Sequence, residues 1–505
     1  MPPDTDTFGI MEKRQINYQI KGWHYYLLVF FLSIIPLFYQ LGNPVLSIWD
    51  ESRRAVNAYE MYENGNLLVT HFNGEPEMWG TKPPLLIWMQ TLSMHIFGVN
   101  EFALRFPSAL AGLLLGFLII WFTNYYTRSY LWGLIAVLIL YTSRGYIALH
   151  SVRTADFDSI LILFTTAASF FLFLGTEALE KKEKNRFILL FFIMLAFAAL
   201  TKGIAAFILG PAYLVFLIYR KELKNWLTNK YLYIGFAIMV AMAGGYYFLR
   251  EIFNPGYLKA MMENEITGRY FETLEQNKQP FSFYFKMLYQ HRFKDWYYLI
   301  PIGIFLVYIG RDIKLKRLVT YLILLSLTYL FVISIGETKL EWYDLPVFPF
   351  ISLMAALFLY FVIKALSRYS LLKDKMYSRY ITIVILVFFF AAPYYRVYES
   401  ISTGEVPKQE ESTHWISHYL RNMLKDETKI QKEFTVLYEG EFQHFLFYIY
   451  KLRDQGHEVY FKEPVELRTG TNYIVYQEKV LKDLENKYNV IIEDQTNGIY
   501  RISVN

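Results

Sequence analysis

The stretch LRFPSALAGLLLGFLIIWF at residues 104–122 holds a single charge, Arg105, close to its start. A helix needs roughly 20 mostly apolar residues to cross the hydrocarbon core of a bilayer. The stretch therefore predicts a membrane-spanning helix, and ten other apolar runs predict further spans. The eleven predicted spans are 24–42, 104–122, 131–150, 159–176, 187–201, 204–219, 231–249, 297–310, 318–335, 345–364 and 380–395.

The composition of the whole chain agrees with this interpretation. Of the 505 residues, 54% are hydrophobic and 19% are charged, and the mean hydropathy is +0.22. The excess of apolar residues lies in long runs, which indicates lipid as the solvent. The chain has no cysteine, which excludes disulfides and thiolate metal sites. The first apolar run is longer than the core of a signal peptide, so we expect an uncleaved span.

Lys and Arg are distributed unevenly between the loops, and cytoplasmic loops are the ones enriched in them. One alternating set of loops is rich in these residues, whereas the short loops of the other set hold only Arg153, Lys202 and Lys339. We therefore expect a membrane protein with a cytoplasmic N-terminus and with long outer loops at 43–103 and 250–296. The rich set comprises Arg128, Lys181, Lys182, Lys184, Arg186, Arg220, Lys221, Lys224, Lys230, Arg311, Lys314, Lys316, Arg317, Lys364, Arg368, Lys373, Lys375 and Arg379.

The C-terminal part of the chain has a different pattern, with short apolar runs separated by polar residues. This pattern predicts a small extracytoplasmic α/β domain at 397–505, after a transmembrane domain at 1–396. It contains no glycine loop of the nucleotide-binding type, so we assign it no chemistry and leave its role open. Strands are predicted at 434–438, 459–461, 473–476, 490–492 and 499–504, and helices at 442–452 and 480–488.

The first outer loop places ionisable residues at the membrane boundary. It opens with Asp50, Glu51, Arg53 and Arg54 directly after the first span. Charges at this depth need a watery cavity or partners, although a solvated helix start is an equally good explanation. Further along the loop, Lys82 precedes two prolines, which place it at a rigid corner. An ordinary loop lysine is the alternative interpretation of that motif.

The second outer loop brings Arg153, Asp156 and Asp158 to the start of a span. Asp158 is also suited to capping the next helix, and Arg153 with Asp156 to a structural ion pair. In the fifth outer loop, Lys339 and Tyr343 would share one face if the segment were helical. An interfacial aromatic anchor is the alternative for that loop.

Lys202 is a rare charge between two apolar runs, and snorkelling to the interface would explain it without any function. All of these polar residues fall on one face under the orientation predicted from the loop charges. We therefore expect them to share a single polar cavity at the membrane boundary.

In these motifs the chain resembles the polyprenyl-phosphate-dependent glycosyltransferases of the C superfold, especially the lipid A aminoarabinose transferases and the protein O-mannosyltransferase-like enzymes. The resemblance covers roughly residues 45–350, and its motifs are specific as a set rather than singly. They are Asp50-Glu51-Ser52-Arg53, Asn73-Gly74-Glu75-Pro76, Lys82-Pro83-Pro84-Leu85, Phe97-Gly98-Val99-Asn100-Glu101, Arg105-Phe106-Pro107-Ser108, Arg153 to Asp156, Leu200-Thr201-Lys202-Gly203 and Lys339 to Pro346.

The resemblance implies an α-helical polytopic protein of the bacterial inner membrane with about 11 spans, followed by the small α/β domain. It implies that Asp50 is the catalytic base and that Lys82 and Tyr343 approach a lipid phosphate. The chain departs from the family at Thr81 and Ile266, where some members have an acid and a histidine associated with a bound metal. A divalent cation is therefore in doubt at that place, and no cofactor is firmly implied.

The implied reaction moves a sugar from a polyprenyl (undecaprenyl) phosphate to an acceptor hydroxyl. The acceptor is lipid A, another glycan or a protein of the cell envelope, and no nucleic-acid partner is expected. Asp156 is the second candidate for the base. Fixed cations would stabilise the departing phosphate. The candidate phosphate-binding residues are Lys82, Tyr343, Arg53, Arg269 and Lys339, with Glu51, Arg153, Asp158 and Lys202 as further site candidates.

Two other classes of function stay open at this point. A transporter or lipid flippase would have broken or charged helices in the middle of the membrane and repeated halves. Apart from Arg144, the charges lie at the ends of the predicted spans, and no internal repeat is evident. A non-catalytic scaffold that displays the C-terminal domain would leave the loops around Asp50, Lys82 and Asp156 without a purpose.

Overall fold

A computed structural model describes residues 22–147, 150–265, 278–367, 375–404, 411–425, 433–496 and 498–504. Most of these residues are helical. Helices α1 to α10 are Trp23–Ser33, Asp50–Asn64, Leu85–Phe97, Glu101–Thr127, Tyr130–Tyr141, Arg144–Ile147, Asp158–Glu177, Lys181–Lys202, Gly210–Tyr219 and Leu223–Leu227. Helices α11 to α21 are Lys230–Met239, Gly245–Phe253, Tyr257–Met261, Phe283–Met287, Leu299–Ile309, Ile313–Ile335, Phe348–Leu366, Lys375–Thr403, Glu411–Met423, Gln443–Asp454 and Glu478–Lys487.

Several helices continue through short irregular turns, which lengthens the apolar segments. A π-helical turn at Val240–Gly244 joins α11 to α12, and a 3-10 helix at Glu341–Val347 leads into α17. Within the described residues, seven helical segments, some single and some joined in this way, are long and apolar enough to cross a membrane. They are Glu101–Thr127, Asp158–Glu177, Lys181–Phe207, Lys230–Phe253, Ile313–Ile335, Glu341–Leu366 and Tyr380–Thr403.

Every predicted span coincides with an apolar helix, so the prediction of an α-helical polytopic protein is confirmed, while the number of spans stays a prediction. Five of the apolar helices are shorter than a full span, and one of them, α3, was not predicted. The third predicted span, 131–150, is shorter than expected because α5 ends at Tyr141. Arg144 therefore begins the separate helix α6 and is exposed, instead of lying inside a span.

The C-terminal elements form one mixed five-stranded sheet. Strands β3 to β7 are Glu433–Leu437, Glu458–Lys462, Asn472–Val475, Val490–Thr496 and Ile499–Val504. Their order is β4-β3-β5-β7-β6, with β3 parallel to β4 and β5, and with β7 antiparallel to β5 and β6. Each strand and helix predicted here is observed. The boundary proposed at 396 falls within α18, which continues to Thr403, so the division into domains stays a prediction.

The C-terminal sheet and its helices pack directly on the first outer loop. This loop contains α2, α3 and a two-stranded ribbon of β1 (His71–Phe72) and β2 (Glu75–Pro76). One apolar core unites α2 and α3 with α20. At its edge, the Tyr448 hydroxyl accepts a hydrogen bond from the Leu46 amide at 3.1 Å and donates one to Glu101 at 3.1 Å. Tyr448 therefore ties the C-terminal domain both to the residues just before α2 and to the start of α4.

Candidate active site

Helix α2 begins at Asp50, where the chain turns sharply after Trp49, whose φ is 70°. Its second residue, Glu51, is 2% exposed. The Glu51 carboxylate accepts hydrogen bonds from Arg105 at 2.7 and 2.9 Å and from the amides of Ser47 at 2.7 Å and Ala155 at 2.9 Å. Burial raises the pKa of Glu51, but the Arg105 charge and these hydrogen bonds outweigh it, so the pKa lies below its ordinary value. Glu51 joins three segments and has no free face for a substrate.

Asp50 points to the other side of the helix start, and its side chain is 39% exposed. One of its oxygens accepts a hydrogen bond from Arg54, one turn later, at 2.9 Å. Burial and the nearby Asp156 raise the pKa of Asp50, whereas Arg54, Lys82 and His150 lower it. The cations prevail, and the pKa lies below its ordinary value. Asp50 is therefore ionised at neutral pH and is accessible.

The second outer loop places His150 and Asp156 beside Asp50. The Nδ1 nitrogen of His150 donates a hydrogen bond to Asp156 and lies 4.0 Å from Asp50 Oδ2. The imidazole ring is stacked on Trp342 of the fifth outer loop, with a centroid distance of 3.6 Å. Burial lowers the pKa of His150, but Asp156 and Asp50 raise it above its ordinary value. Burial raises the pKa of Asp156, but the charge and the hydrogen bond of His150 hold it well below its usual range.

Asp158 and Lys202 form a buried ion pair next to this group. The Lys202 Nζ donates to both Asp158 oxygens, at 2.6 and 2.8 Å, and also lies 5.7 Å from the centre of the Tyr343 ring. Lys202 is 11% exposed, so the snorkelling interpretation is wrong for this residue. Asp158 is the first residue of α7 and makes no capping hydrogen bond there. The contact that the Asp158 side chain makes is the ion pair with Lys202.

Lys82 completes the arrangement from the proline corner. Its Nζ lies 3.2 Å from a Glu265 oxygen and 5.7 Å from the centre of the Phe157 ring. The Tyr257 hydroxyl donates to the backbone oxygen of Thr81 at 2.8 Å, which fixes the corner. Together, these contacts join residues from five separate loops of the chain. We call the set the polar cluster, and it consists of Asp50, Arg54, Lys82, His150, Asp156, Asp158, Lys202, Glu265 and Tyr343.

Besides Glu51, three residues predicted for the site, Arg53, Arg153 and Lys339, are engaged elsewhere. Arg53 forms a bidentate pair with Glu77, at 2.7 and 2.8 Å, above the Phe72 ring. Arg153 donates to the backbone oxygens of Pro36 at 3.3 Å and Tyr39 at 2.8 Å.

The suggested Arg153–Asp156 ion pair is therefore wrong, because Asp156 pairs with His150. Lys339 donates to the Gly336 oxygen at 2.5 Å, and its pKa is lowered by burial. It also lies before the 3-10 helix that begins at Glu341, so it does not share a helical face with Tyr343.

Two positions relevant to the comparison with the family, Ile266 and Arg269, lie outside the described residues. A metal at the place suggested by the family does not fit the residues present. Thr81 offers only a neutral hydroxyl, which is buried without a hydrogen-bond partner, and the acid at that place, Glu265, is paired with Lys82. No step of the chemistry is therefore assigned to a metal there.

The ligand atoms of Asp50, His150 and Asp156 lie within 4.8 Å of one another, a spacing that is also compatible with a metal ion. However, Asp50 is bound to Arg54, and His150 to Asp156. The positive charges of Lys82 and Lys202 also act on these carboxylates. A further cation would be repelled by these charges, so we assign no metal to this group either.

Sequence reasoning named Arg54 only as a charge at the membrane boundary, and it overlooked His150, Trp342 and Glu265 as members or supports of the site. For His150, its position six residues before Asp156 was the one available signal. The contacts of Trp342 and Glu265 join loops that are far apart in the chain, so no local pattern indicates them.

Residues 27–254 match the family model described as dolichyl-phosphate-mannose-protein mannosyltransferase. The chain is 30% identical over 337 residues to an uncharacterized protein of Aquifex aeolicus, covering 66% of this chain and 64% of that protein. It is 27% identical over 342 residues to the undecaprenyl phosphate-alpha-4-amino-4-deoxy-L-arabinose arabinosyl transferase of Edwardsiella ictaluri, covering 67% of this chain and 59% of that protein. The chain thus spans less than two thirds of the length of these relatives.

Two solved structures have the same fold along nearly the whole chain. The crystal structure of ArnT from Cupriavidus metallidurans bound to undecaprenyl phosphate superposes with a TM-score of 0.71 at 14% identity, covering 96% of this chain and 98% of that one. The apo oligosaccharyltransferase of Archaeoglobus fulgidus gives a TM-score of 0.56 at 12% identity, covering 89% of this chain and 65% of that one.

The fold defines the class of the protein, a multi-pass helical membrane protein that shares the fold of ArnT and of the archaeal oligosaccharyltransferase. Within this class the resemblance inferred from the motifs is confirmed. In sequence the chain is similar to the undecaprenyl phosphate-dependent arabinosyl transferases, and part of it matches the protein mannosyltransferase family model, as the motifs indicated.

Proposed function

We propose that the protein transfers a sugar from a polyprenyl phosphate, such as undecaprenyl phosphate, to a hydroxyl group of a lipid, glycan or protein acceptor. The observation that carries this proposal is the polar cluster, in which an accessible carboxylate, Asp50, lies beside lysines that are suited to bind a phosphate. The arabinosyl transferases among the relatives use an undecaprenyl phosphate donor by name, which supports the same donor class here.

Asp50 is assigned as the general base. The acceptor hydroxyl must lose its proton as its oxygen attacks the anomeric carbon, and an ionised carboxylate can take that proton. Arg54 occupies one Asp50 oxygen at 2.9 Å, which orients the carboxylate and leaves the other oxygen for the acceptor. Asp156 is the second candidate, but it is only 4% exposed and is bound to His150.

Lys82 and Tyr343 are assigned to the lipid phosphate, as the family resemblance implies, and to them we add Lys202, one of the further site candidates. The phosphodiester carries one negative charge, and the departing phosphate monoester develops a second. Preorganised donors facing such a developing charge are worth about 2.7–4 kcal/mol each, by analogy with oxyanion sites. Lys202 lies between Asp158 and the Tyr343 ring, so it is held where it can act on the same phosphate. Arg269 remains a predicted phosphate ligand.

We further propose that the N-terminus is cytoplasmic and that the polar cluster and the C-terminal domain face the periplasm. The loop charges support this orientation, since the Lys- and Arg-rich set lies at the opposite ends of the spans. Under this orientation the transmembrane domain at 1–396 is the catalytic domain. A donor carried by a lipid fits an outer site, because soluble nucleotide sugars are made in the cytoplasm.

The test uses purified protein in detergent with an undecaprenyl-phosphate-linked sugar and a candidate acceptor, and measures release of undecaprenyl phosphate. We expect Asp50→Asn to lose transfer by at least about 100-fold while keeping its elution profile and melting temperature. The exposed Asp483→Asn is the matched control and should keep full activity. Full turnover by Asp50→Asn would refute the base assignment. Movement of the intact donor across a bilayer without cleavage would favour a flippase instead.

A further inference from the structure

His150 is the one group of the polar cluster that contacts both proposed catalytic carboxylates. Its Nδ1 is hydrogen-bonded to Asp156 and lies 4.0 Å from Asp50. A carboxylate only accepts hydrogen bonds when ionised, so the hydrogen of this contact belongs to the imidazole. Without a donor between them, the two carboxylates would repel each other, and one would take up a proton.

The position of the imidazole is fixed by more than its hydrogen bond. His150 adopts a φ of 62°, in the left-handed region that a non-glycine residue enters at a cost. The ring is stacked on Trp342 with an interplanar angle of 15°, so the fifth outer loop holds it against the second. The ring therefore has little freedom to turn away from Asp50.

The charges around His150 favour its protonated form. Four carboxylates in the polar cluster face three permanent cations, so a protonated imidazole is the fourth positive charge that balances them. The charged groups facing His150 from the neighbouring elements are Asp50, Arg54, Lys82, Asp156, Asp158, Lys202 and Glu265.

We propose that His150 is a positioning residue that acts as an imidazolium, keeping Asp50 and Asp156 ionised and fixed relative to each other. This proposal rests on the proposed function, because it needs Asp50 as the base. His150 itself touches neither the donor nor the acceptor in this mechanism. Its loss should therefore lower kcat and change the pH dependence, while the KM for the donor is kept.

The test measures kcat against pH at saturating donor for the wild type, His150→Asn and His150→Lys. Asparagine keeps a donor near the Nδ1 position but has no charge, so we expect kcat to fall about tenfold or more. We also expect the acidic limb of its profile to move to higher pH, because the Asp50 carboxylate then takes up a proton more readily. Lysine restores a permanent charge, so it should return the acidic limb to the wild-type position and remove the alkaline limb that is due to His150.

An unchanged pH profile in His150→Asn, or a loss confined to the donor KM, would overturn the proposal. His291→Asn, at an exposed histidine outside the polar cluster, is the matched control and should keep the wild-type profile. Asp50→Asn is measured in the same assay. If Asp50→Asn is active, the base assignment fails; if it is inactive while His150→Asn keeps the wild-type profile, only the role of His150 fails.

A second, independent feature is a groove at the other end of the spans, between α8 and α11. It is a shallow, open groove of about 600 Å³ with a basic rim above an apolar floor. Lys181, Lys182 and Arg186 form the rim, are exposed, and have no ion-pair partner among the described residues. Their neighbours Lys184 and Asn185, in contrast, are bound to Glu222 and Asn229. The floor is lined by Leu189, Leu190, Ile193 and Tyr231.

We infer that this groove binds an anionic phospholipid, with the phosphate at the rim and an acyl chain along the apolar floor. The rim lies at the end of a spanning segment, at the depth where lipid headgroups are found. Three unpaired cations above an apolar strip complement a negatively charged headgroup on a hydrocarbon tail, a combination that a soluble anion lacks.

The test is native mass spectrometry of the detergent-purified protein with phosphatidylglycerol or phosphatidylcholine added. We expect preferential retention of phosphatidylglycerol, and a fall in that retention of about tenfold when Lys181, Lys182 and Arg186 are all changed to Gln. The matched control changes Lys221, Lys224 and Arg311 to Gln, which removes the same charge elsewhere. Equal losses in both triple variants, or no preference between the lipids, would overturn the inference.

Discussion

The adjacent acids Asp50 and Glu51 should respond in opposite ways to removal of their charge. Glu51→Gln leaves Arg105 buried, 2% exposed, without its counter-ion, although its hydrogen bonds to the backbone oxygens of Leu41, Pro44 and Val45 remain. Breaking a buried ion pair by removing one partner costs about 3–5 kcal/mol. We therefore expect Glu51→Gln to melt several degrees below the wild type, whereas Asp50→Asn should melt normally and lose transfer.

The assay is the temperature at which half of the detergent-purified protein leaves its monodisperse peak in size-exclusion chromatography. Glu478→Gln is the matched control, because Glu478 pairs with Lys482 at 3.1 Å on an exposed helix. Exposed pairs contribute at most about 1 kcal/mol, so this variant should melt like the wild type. A wild-type midpoint for Glu51→Gln would refute the scaffold role of Glu51.

The pH dependence of the midpoint provides a second check on Glu51. Its pKa is lowered in the folded state, so its contribution to stability is present above its ordinary value, about 4.3, and is lost as the pH falls through the folded value. The midpoint of the wild type should therefore fall more steeply on acidification than that of Glu51→Gln. Parallel curves for the two proteins would contradict this reasoning.

Three further predictions concern the surroundings of the site. Tyr343→Phe should raise the donor KM and lower kcat about tenfold if its hydroxyl contacts the phosphate, and steady-state kinetics at fixed acceptor will measure both. Lys202→Met leaves Asp158 buried and unpaired, so we expect lost transfer and a melting midpoint several degrees lower. Tyr448→Phe removes the hydroxyl that bonds to Leu46, and a loss of about 1–3 kcal/mol should appear as easier proteolytic release of the C-terminal sheet.

The sequence correctly predicted those elements of the fold that depend on residues close together in the chain. Apolar runs follow from the thickness of the bilayer, so each predicted span coincides with a helix. The alternating pattern of the C-terminal strands depends only on neighbouring residues, and all five strands are found where they were expected. Helix α3 was missed because its 13 residues fall short of a span and follow a loop motif.

The site was predictable only in part. Asp50, Lys82, Asp156, Asp158, Lys202 and Tyr343 meet in the polar cluster, as the shared outer face predicted. Arg53, Arg153 and Lys339 are also charged residues in loops predicted on that face. They bind Glu77, backbone oxygens of the first span and the Gly336 oxygen instead. The charge of a residue and the predicted face of its loop do not distinguish members of the polar cluster from residues bound elsewhere, because charged residues of both groups need partners at the membrane boundary.

The sequence alone determined that the chain crosses the membrane many times, which loops share a face, and which family it resembles. These properties depend on hydrophobicity, charge and motif order along the chain. Tertiary structure decided which carboxylate is exposed and which is buried, since Asp50 and Glu51 are neighbours whose surroundings come from distant segments. It also placed His150 between two acids and against Trp342, 192 residues further along the chain. Electrostatic interactions act through space, so the chemistry of these groups depends on how the loops pack.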